Sequence, residues 1–472
     1  MQQEWAVDEV IASVSPALQS KIGAYRRRHR LPGIAAGIAT RDGLAWWHAS
    51  GFADLETGRR LDERTLFRVA SITKTVTATA VLQLRDDGLL GLDDPVVQFI
   101  PELAKVANPF GPIEALTIRR FLMHTSGLQG EVPWQDLDRM WMYRPEQLLE
   151  VLHLAHVRSA PETDHKYSNF AFELLGIVVE RVAGRPFQDY VRASVLDPLG
   201  MSDTVWHPDA EQEGRRAVGY DGRAHDDRPA VARQVDSDLM RADGGLWSTV
   251  ENLGRWVGQQ LRSDAELERG DGQVLRGATL TQMHRPRFVA KADWTEAQGL
   301  CWYGTRTGET VLIGHSGALW GYLTNVSFSP RGKVGAIVLI NGVGDAPALA
   351  RELLEVLLPA VQEAEDRAEV ASTRAIPEAY RELLGVYRDH EFADDSVVEW
   401  RDGKLVLLGS RPEEPVHELA PTDDPLTFTM LGGRPDGEPI EFSRGRNGRI
   451  DRANFAGYPT TRVDMLRPPT GT

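Results

Sequence analysis

The feature that most constrains the fold is a long run of uncharged residues in which one lysine stands alone. Between Arg68 and Arg85 the one charged residue is Lys74, and most of the others are aliphatic or threonine. Such a run predicts a helix that is buried on most of its circumference. A strand over residues 65–70 would lead into this helix, and Ser71 would open it. The fold must therefore bury a lysine, which is costly unless the amine has a partner.

The spacing of Ser71 and Lys74 suggests what that partner is. Residues three apart lie on one face of a helix, so the amine can hydrogen-bond to the hydroxyl and take its proton. We expect burial to lower the pKa of Lys74, because loss of water disfavours an ammonium ion. N–H groups at a helix start also stabilise an oxyanion. The pattern predicts a serine nucleophile with its base, although a serine three before a lysine also arises by chance about once in such a chain.

Composition narrows the class of protein. The chain has 472 residues and a net charge of −15, so we expect no nucleic-acid partner and no membrane partner, but a small-molecule or short-peptide substrate. Its one cysteine, Cys301, excludes an internal disulfide and a cysteine-based metal site. The chain as given shows no signal peptide and no apolar run long enough to cross a bilayer. We therefore expect a cytoplasmic protein.

Strand patterns in two distant parts of the chain predict one antiparallel sheet. Residues 34–40 and 44–49 flank an Asp42-Gly43 turn and form a predicted hairpin. Further strands are expected at residues 299–304, 310–313, 322–329 and 334–340. Helices that cover this sheet are expected at residues 6–30 and 346–366. The predicted fold class is α+β.

The remaining patterns divide the chain into domains. A mainly helical region at about 71–260 would be an insertion in the sheet domain, which we assign to residues 1–366. Residues 367–377 are mostly polar and predict a linker. Closely spaced strand patterns between turns then predict a small antiparallel β-barrel at residues 378–472.

Tyr167-Ser168-Asn169 precedes a second apolar helical run, residues 170–182. A phenol can relay a proton between a serine and a leaving group, and a neighbouring lysine would lower its pKa. Asn169 would orient Lys74 or bind a substrate carbonyl. The alternative is a tyrosine in an ordinary surface loop.

His315-Ser316-Gly317 follows the predicted strand 310–313. Histidine can bind a substrate carboxylate or carbonyl, and glycine lets a substrate approach the backbone. The alternative is a histidine whose hydrogen bonds are all made within its own loop. With Gly314, the run also imitates the nucleophile elbow of an α/β-hydrolase, in which Ser316 would be the nucleophile. That elbow needs a helix after the serine, whereas a strand pattern follows here.

The order of these motifs resembles the serine β-lactamase and penicillin-binding-protein superfamily, whose S-x-x-K, Y-x-N and K-T-G elements line one cleft. The resemblance to its class C-like hydrolases extends to residues 92–95, 122–128, 243–249 and 314–317. It implies an antiparallel sheet that carries a helical insertion. The C-terminal region resembles barrels attached to related peptidases, which can restrict the cleft. Packing or self-association is the alternative role, so we leave a homo-oligomer open.

The resemblance implies a role for each motif. Ser71 would be the nucleophile, Lys74 its base partner, and Tyr167 the proton shuttle in acylation and deacylation. Backbone N–H groups of Ser71 and Ala318 would form the oxyanion hole. The residues implied in oxyanion or substrate binding are Ala318, Asn169, His315 and Gly317.

One departure from the superfamily bears on the substrate. Where antibiotic-binding members have Lys-Thr-Gly, this chain has His315-Ser316-Gly317, so it lacks a fixed positive charge for a β-lactam carboxylate. Members with histidine there look more like esterases, D-amino-acid peptidases and amidases. We expect a serine hydrolase of esters or amides that acts through an acyl-enzyme. A weak β-lactamase, or a penicillin-binding sensor that acylates with little turnover, is the alternative.

We expect neither a metal nor an organic cofactor. His153 and His156 would lie near one another on a helix, but the glutamate of the metalloprotease arrangement is missing. The sequence also has no glycine-rich phosphate loop.

Overall fold

The computed structural model describes residues 2–132, 144–221, 229–262, 273–308, 310–373, 376–389, 395–401, 403–409 and 416–463. The chain forms two compact units, residues 1–360 and residues 361–472. The domain limits inferred from the sequence, 1–366 and 378–472, stay predictions.

The first unit is organised around one antiparallel sheet, as predicted. The described strands of this unit are β1 (Gly33–Thr40), β2 (Gly43–Asp54), β3 (Arg59–Arg60), β4 (Phe67–Arg68), β5 (Tyr220–Asp221), β6 (Ala230–Val231), β7 (Trp247–Ser248), β8 (Phe288–Val289), β9 (Glu296–Gln298), β10 (Tyr303–Thr307), β11 (Thr310–Leu319), β12 (Tyr322–Ser329) and β13 (Val334–Ile340). Nine of these described strands form the sheet, in the order β3-β2-β1-β13-β12-β11-β10-β9-β8. The predicted hairpin is β1–β2, and Gly43 takes the left-handed turn position with φ of 113°.

Helices surround this sheet and fill the region between β4 and β7. The described α-helices that begin in the first unit are α1 (Gln2–Arg28), α2 (Thr73–Asp86), α3 (Val96–Phe99), α4 (Ile118–Leu122), α5 (Pro145–Glu150), α6 (Asn169–Ala183), α7 (Phe187–Val191), α8 (Ala210–Arg215), α9 (Val250–Leu261), α10 (Gly277–His284) and α11 (Ala346–Thr373). Helix α12 (Glu378–Arg381) belongs to the second unit. Short 3₁₀ turns occur at Ala70–Ile72, Pro101–Lys105, Ile113–Ala115, Leu152–Leu154 and Ser237–Met240, and a π turn at Arg192–Leu196.

The sheet centre is buried on both faces. Strands β1 and β13 pair antiparallel, with Ile34 opposite Ile340, and nearly every residue of both strands is buried. Helix α9 packs on β1 and β2, although the sequence had assigned residues up to about 260 to the insertion. The reason is an apolar face on α9 whose Trp256 and Val257 are fully buried. Burial on both sides explains why these strands read as aliphatic runs rather than as alternating patterns.

The predicted terminal helices lie side by side within the first unit. The Tyr25 hydroxyl on α1 donates to the carbonyl of Asp345 and accepts the N–H of the same residue, each at 3.0 Å. Lys21 pairs with Glu352 on α11 at 3.1 Å. These contacts join the two helices.

Most of the predicted linker, residues 367–377, is helical, and its role as a linker between domains stays a prediction. Helix α11 continues to Thr373, whereas the linker was expected to begin at residue 367. The sequence from 361 to 373 is rich in alanine and glutamate, which are strong helix formers even where they are polar. Residues 374–375 lie outside the described part of the chain.

The second unit contains the predicted antiparallel barrel. Its described strands are β14 (Gly385–Asp389), β15 (Asp395–Arg401), β16 (Lys404–Leu408), β17 (His417–Pro421), β18 (Thr427–Leu431), β19 (Pro439–Arg444), β20 (Ile450–Phe455) and β21 (Tyr458–Val463). These described strands form a closed barrel, because β14 pairs with both β15 and β21. Large apolar side chains such as Tyr387, Phe428 and Phe442 are buried together in its core.

None of the helices in the described parts of the chain is long and apolar enough to cross a membrane. The cytoplasmic location stays a prediction.

Candidate active site

Ser71 lies in the 3₁₀ turn directly before α2, so the α-helix starts two residues later than predicted. Strand β4 is also shorter than the predicted strand 65–70. The cause is Ala70, whose φ of 47° lies in the left-handed region and bends the chain sharply. Just before this bend, the Thr324 hydroxyl on β12 donates to the carbonyl of Val69 at 3.0 Å. Ser71 itself is partly exposed, so a substrate can reach it.

The structure brings Lys74 and Ser71 together. The fully buried Nζ of Lys74 lies 3.2 Å from Ser71 Oγ. It also donates to the carbonyl oxygen of Asp243 at 2.7 Å and lies 3.4 Å from Asp243 Oδ2. The Tyr167 and Phe172 rings are 5.1 and 5.8 Å from Nζ. The amine is therefore held between the serine, a carboxylate and two aromatic faces.

The predicted lowering of the Lys74 pKa is wrong. Burial lowers the pKa of this amine, but the electrostatic interactions with Tyr167 and Asp243 and the hydrogen bond to Tyr167 raise it by more, so the pKa lies above its ordinary value. Lys74 is therefore an ammonium ion at neutral pH. The sequence could not show this, because Asp243 is 169 residues away along the chain.

Tyr167 joins the same group. Its hydroxyl interacts with both Ser71 and Lys74. Burial raises the pKa of Tyr167, and the opposing effect of Lys74 is smaller, so the predicted lowering is wrong and the phenol is neutral. The ring packs on His124, with centroids 4.3 Å apart, and His124 Nδ1 accepts the N–H of Ser168 at 3.1 Å. Packing on His124 therefore helps to fix the position of Tyr167.

Strand β11 is longer than predicted. It runs to Leu319 rather than ending at residue 313, so His315, Gly317 and Ala318 lie inside a strand. Pairing with β12, where Gly317 faces Thr324, overrides the weak strand preference of this glycine-containing segment.

This pairing also decides against the α/β-hydrolase alternative. Ser316 is exposed and lies opposite Asn325 within the β11–β12 hairpin. A nucleophile elbow requires a sharp turn into a helix after the serine. That interpretation is therefore wrong.

Gly317 permits the closest approach in the site. A Cβ atom at this position would lie 2.1 Å from the carbonyl oxygen of Val69 and 2.4 Å from Thr324 Oγ1. Strand β11 therefore lies directly against the segment that leads to Ser71. The oxyanion hole formed by N–H groups of Ser71 and Ala318 stays a prediction.

His315 is buried and neutral. Its Nδ1 lies 2.7 Å from the carbonyl oxygen of Ser316, so Nδ1 carries the proton and Nε2 is an acceptor. Nε2 has no hydrogen-bond partner among the residues that the structure describes. Burial, and then the charge of Lys74, lower the pKa of His315 to about 3. The position that holds a lysine in antibiotic-binding members therefore carries no charge here at neutral pH.

Asn169 is the first residue of α6. Its Nδ2 donates to Glu131 Oε1 at 2.6 Å, whereas the described hydrogen bonds of Lys74 go to Ser71, Asp243 and Tyr167. The role of Asn169 stays a prediction.

Sequence reasoning missed two buried carboxyl groups behind Lys74. Asp243 was noted as part of a motif without a role, and Glu173 was not noted. Burial and the neighbouring Asp243 carboxylate raise the pKa of Glu173 well above its usual range, so Glu173 keeps its proton. A signal for Glu173 was available, since it is the one charged residue between 170 and 179.

The histidine pair is not arranged as expected. His153 lies in the exposed 3₁₀ turn Leu152–Leu154 rather than on an α-helix, and its Nδ1 contacts the carbonyl oxygen of Glu150 at 3.0 Å. Within the described residues, a different group, His207, Asp236 and Asp238, has potential ligand atoms within 4.8 Å of one another. Asp238 already accepts from His207 at 2.9 Å and Gln188 at 3.0 Å.

Two curated relatives are similar in sequence. D-alanyl-D-alanine-carboxypeptidase/endopeptidase AmpH of Escherichia coli K12 is 29% identical over 287 residues, which cover 59% of this chain and 71% of AmpH. Esterase EstB of Burkholderia gladioli is 37% identical over 237 residues, which cover 48% of this chain. The match spans 58% of the length of EstB, less than two thirds.

Solved structures share the fold. The octameric penicillin-binding protein homologue from Pyrococcus abyssi superimposes with a TM-score of 0.62 at 21% identity, covering 95% of this chain and 100% of that one. The D-amino acid amidase from Ochrobactrum anthropi SV3 superimposes with a TM-score of 0.61 at 22% identity, covering 75% of this chain and 99% of the amidase. A class C beta-lactamase superimposes with a TM-score of 0.58 at 22% identity, covering 75% of this chain and 97% of the beta-lactamase.

The family model described as Beta-lactamase matches residues 18–359. This range contains the Ser71–Lys74 pair, Tyr167 and the whole nine-stranded sheet formed by the described strands. The resemblance inferred from the motifs is confirmed, and the chain belongs to the beta-lactamase family.

Proposed function

We propose that this member of the beta-lactamase family hydrolyses esters or amides through an acyl-enzyme on Ser71. The observation that carries the proposal is the 3.2 Å approach of Lys74 Nζ to the Oγ of a partly exposed serine. Tyr167 interacts with both groups, so a nucleophile and two proton-transfer groups meet at one accessible point.

The proposed reaction uses these three side chains. Ser71 Oγ attacks the substrate carbonyl carbon while its proton passes to the Lys74–Tyr167 pair, and Tyr167 then protonates the leaving alcohol or amine as its bond to carbon breaks. Water attacks the acyl-enzyme in the same way and restores the Ser71 hydroxyl. Because the Lys74 pKa is raised, the amine that accepts the proton is the minor form at neutral pH. We therefore expect the rate to increase through the alkaline range.

The substrate class follows from His315. A neutral imidazole at this position does not pair with a carboxylate as an ammonium would, which disfavours β-lactams. An ester is the first candidate, supported by the similarity to Esterase EstB. A peptide or amide of a D-amino acid is the second, supported by the similarity to AmpH and to the D-amino acid amidase. A homo-oligomer is also proposed, supported by the octameric homologue.

Hydrolysis of p-nitrophenyl acetate and butyrate by wild type and Ser71→Ala tests the proposal, with a fluorophosphonate adduct measured by intact mass. We expect Ser71→Ala to abolish both turnover and adduct, a loss of about 10³-fold or more. Ser316→Ala is the matched control and should keep both, because Ser316 lies opposite Asn325 within the β-hairpin. Activity in Ser71→Ala would refute the proposal. A wild type that is labelled once without turnover would favour the penicillin-binding sensor.

A further inference from the structure

Two buried carboxyl groups behind Lys74 have no part in the reaction proposed above. Glu173 lies on α6 and is 6% exposed, and Asp243 precedes β7 and is 5% exposed. A buried carboxyl group is costly unless its oxygens are paired. Two such groups beside a buried ammonium therefore need a physical reason.

Glu173 holds the backbone that carries Asp243. Its Oε1 accepts the N–H of Ala242 at 2.9 Å and the N–H of Asp243 at 3.0 Å. From the side of α2, the Thr77 hydroxyl donates to the carbonyl of Ala242 at 2.6 Å, and Lys74 donates to the carbonyl of Asp243 at 2.7 Å. Residues 242–243 are thus fixed from two helices, and Asp243 presents its carbonyl and carboxylate oxygens to Lys74.

The charges of this cluster balance only if one carboxyl group is protonated. Lys74 supplies one positive charge beside the Asp243 carboxylate, at 3.4 Å. Glu173 keeps its proton and donates it in a hydrogen bond to Asp243. Further titratable groups act on the cluster. Around Lys74 they are Tyr167, Cys301, His124 and His315. Around the two carboxyl groups they are Arg68 and Arg241, and Arg241 also pairs with Glu180 at 2.9 Å. Asp243 therefore keeps its charge for Lys74.

We propose that Glu173, as a neutral acid, and Asp243, as a carboxylate, are positioning residues that hold Lys74 against Ser71 and set its charge. The proposal rests on the function proposed above. Glu173 fixes the Asp243 backbone and orients its carboxylate, and Asp243 fixes the amine through its carbonyl and carboxylate oxygens.

A matched pair of substitutions tests the role of Glu173. Glu173→Gln keeps an acceptor for both N–H groups and a donor for Asp243, whereas Glu173→Met has similar length without polar atoms. We expect kcat for p-nitrophenyl butyrate to stay within about three-fold of wild type in Glu173→Gln and to fall about ten-fold or more in Glu173→Met, with KM nearly unchanged, because two buried N–H groups lose their acceptor. Equal kcat values in the two variants would overturn the proposal.

Asp243→Asn tests the charge. The Asp243 carboxylate raises the pKa of Lys74, so its removal lowers that pKa and makes the free amine available at lower pH. We expect the rise of kcat/KM with pH to move to lower pH by about one unit or more. If Asp243 had a purely structural role, Asp243→Asn would lower kcat/KM without displacing its dependence on pH. That result would also overturn the proposal.

The two proposals fail in different ways. If Ser71→Ala keeps its activity, the function is wrong whatever the other variants do. If Ser71 is essential but the Asp243→Asn profile is not displaced, only the positioning role is wrong. Should Glu173→Met fail to fold, a Glu173→Gln variant that loses as much as ten-fold in kcat contradicts the neutral-acid role, and one near wild type supports it.

Discussion

Gly317 is the residue at which the sheet meets the segment that carries Ser71. No side chain fits there, because a Cβ atom would lie 2.1 Å from the carbonyl oxygen of Val69. That oxygen belongs to backbone immediately before the bend at Ala70. Strand β11 can therefore lie this close to the segment that carries the nucleophile only because Gly317 has no Cβ atom.

Gly317→Ala should displace β11 from Val69. We expect kcat/KM to fall about ten-fold or more, since small displacements at a reacting centre are costly, and thermal stability to fall because the core is overpacked. Steady-state kinetics and thermal unfolding measure both effects.

Gly304→Ala on the adjacent strand β10 is the control for this prediction. The Cβ added there meets only ordinary contacts, the nearest at 3.6 Å from Ile313 Cδ1. Equal losses of activity in the two variants would contradict the role given to Gly317.

The sequence predicted those parts of the site that depend on local geometry. Ser71 and Lys74 are three residues apart, and helical turns bring such residues together whatever surrounds them. The charge state of Lys74 was not predictable, because Asp243 reaches it only through the tertiary fold. The two pKa predictions were wrong for different tertiary reasons: burial raises the pKa of Tyr167, and the interactions with Tyr167 and then Asp243 outweigh the effect of burial on Lys74.

At the scale of elements, helix α9 shows how closely a helix can pack on this sheet. A Cβ atom at Gly254 would lie 2.6 Å from the Cβ of Leu44 on β2. Glycine is a poor helix former, so its place inside α9 is explained by packing. By contrast, Gly214 lies exposed in α8, where an added Cβ would meet no described atom within 4 Å other than those of its chain neighbours and the backbone of its own helix.

These two helical glycines predict opposite effects of one substitution. Gly214→Ala should stabilise the protein by about 0.5–1 kcal/mol, because alanine restricts the unfolded chain and favours the helix. Gly254→Ala should destabilise it by about 1–3 kcal/mol, because the methyl group forces α9 away from β2. Thermal unfolding of the two variants measures the sign, and a stabilised Gly254→Ala would contradict the packing argument.

Two strands of the predicted barrel carry a proline, which weakens the strand pattern in the sequence. Strand β17 ends in Pro421, and β21 contains Pro459. Proline has no N–H to donate to a neighbouring strand and lowers the strand signal.

At the scale of the whole molecule, buried histidines make the free energy of unfolding depend on pH. His284 packs against Phe328, with ring centroids 5.0 Å apart, and its Nε2 contacts Gln260 Oε1 at 3.0 Å. Burial lowers the pKa of His284 to about 3. His124 and His315 are also buried, with a lowered pKa. All three are neutral in the folded protein and become protonated near pH 6.5 once it unfolds.

The folded protein should therefore lose stability as the pH falls below 6.5. The unfolded chain binds more protons in this range, so His284 alone costs about 2 kcal/mol of unfolding free energy at pH 5. Thermal unfolding from neutral pH to pH 5 measures the slope. His284→Gln, which cannot be protonated, should be less stable at neutral pH but less sensitive to acid. An unchanged slope in this variant would contradict the argument.

The closure of the barrel has a consequence for the order of events during synthesis. Strand β14 begins this fold, yet one of its two neighbours is β21, which ends at Val463. When the ribosome has made β14 to β20, these strands can form only a sheet with two unpaired edges. The closed barrel cannot form until β21 has emerged. This unit must therefore complete its fold late, and a chain that stops before β21 presents two strand edges to other chains.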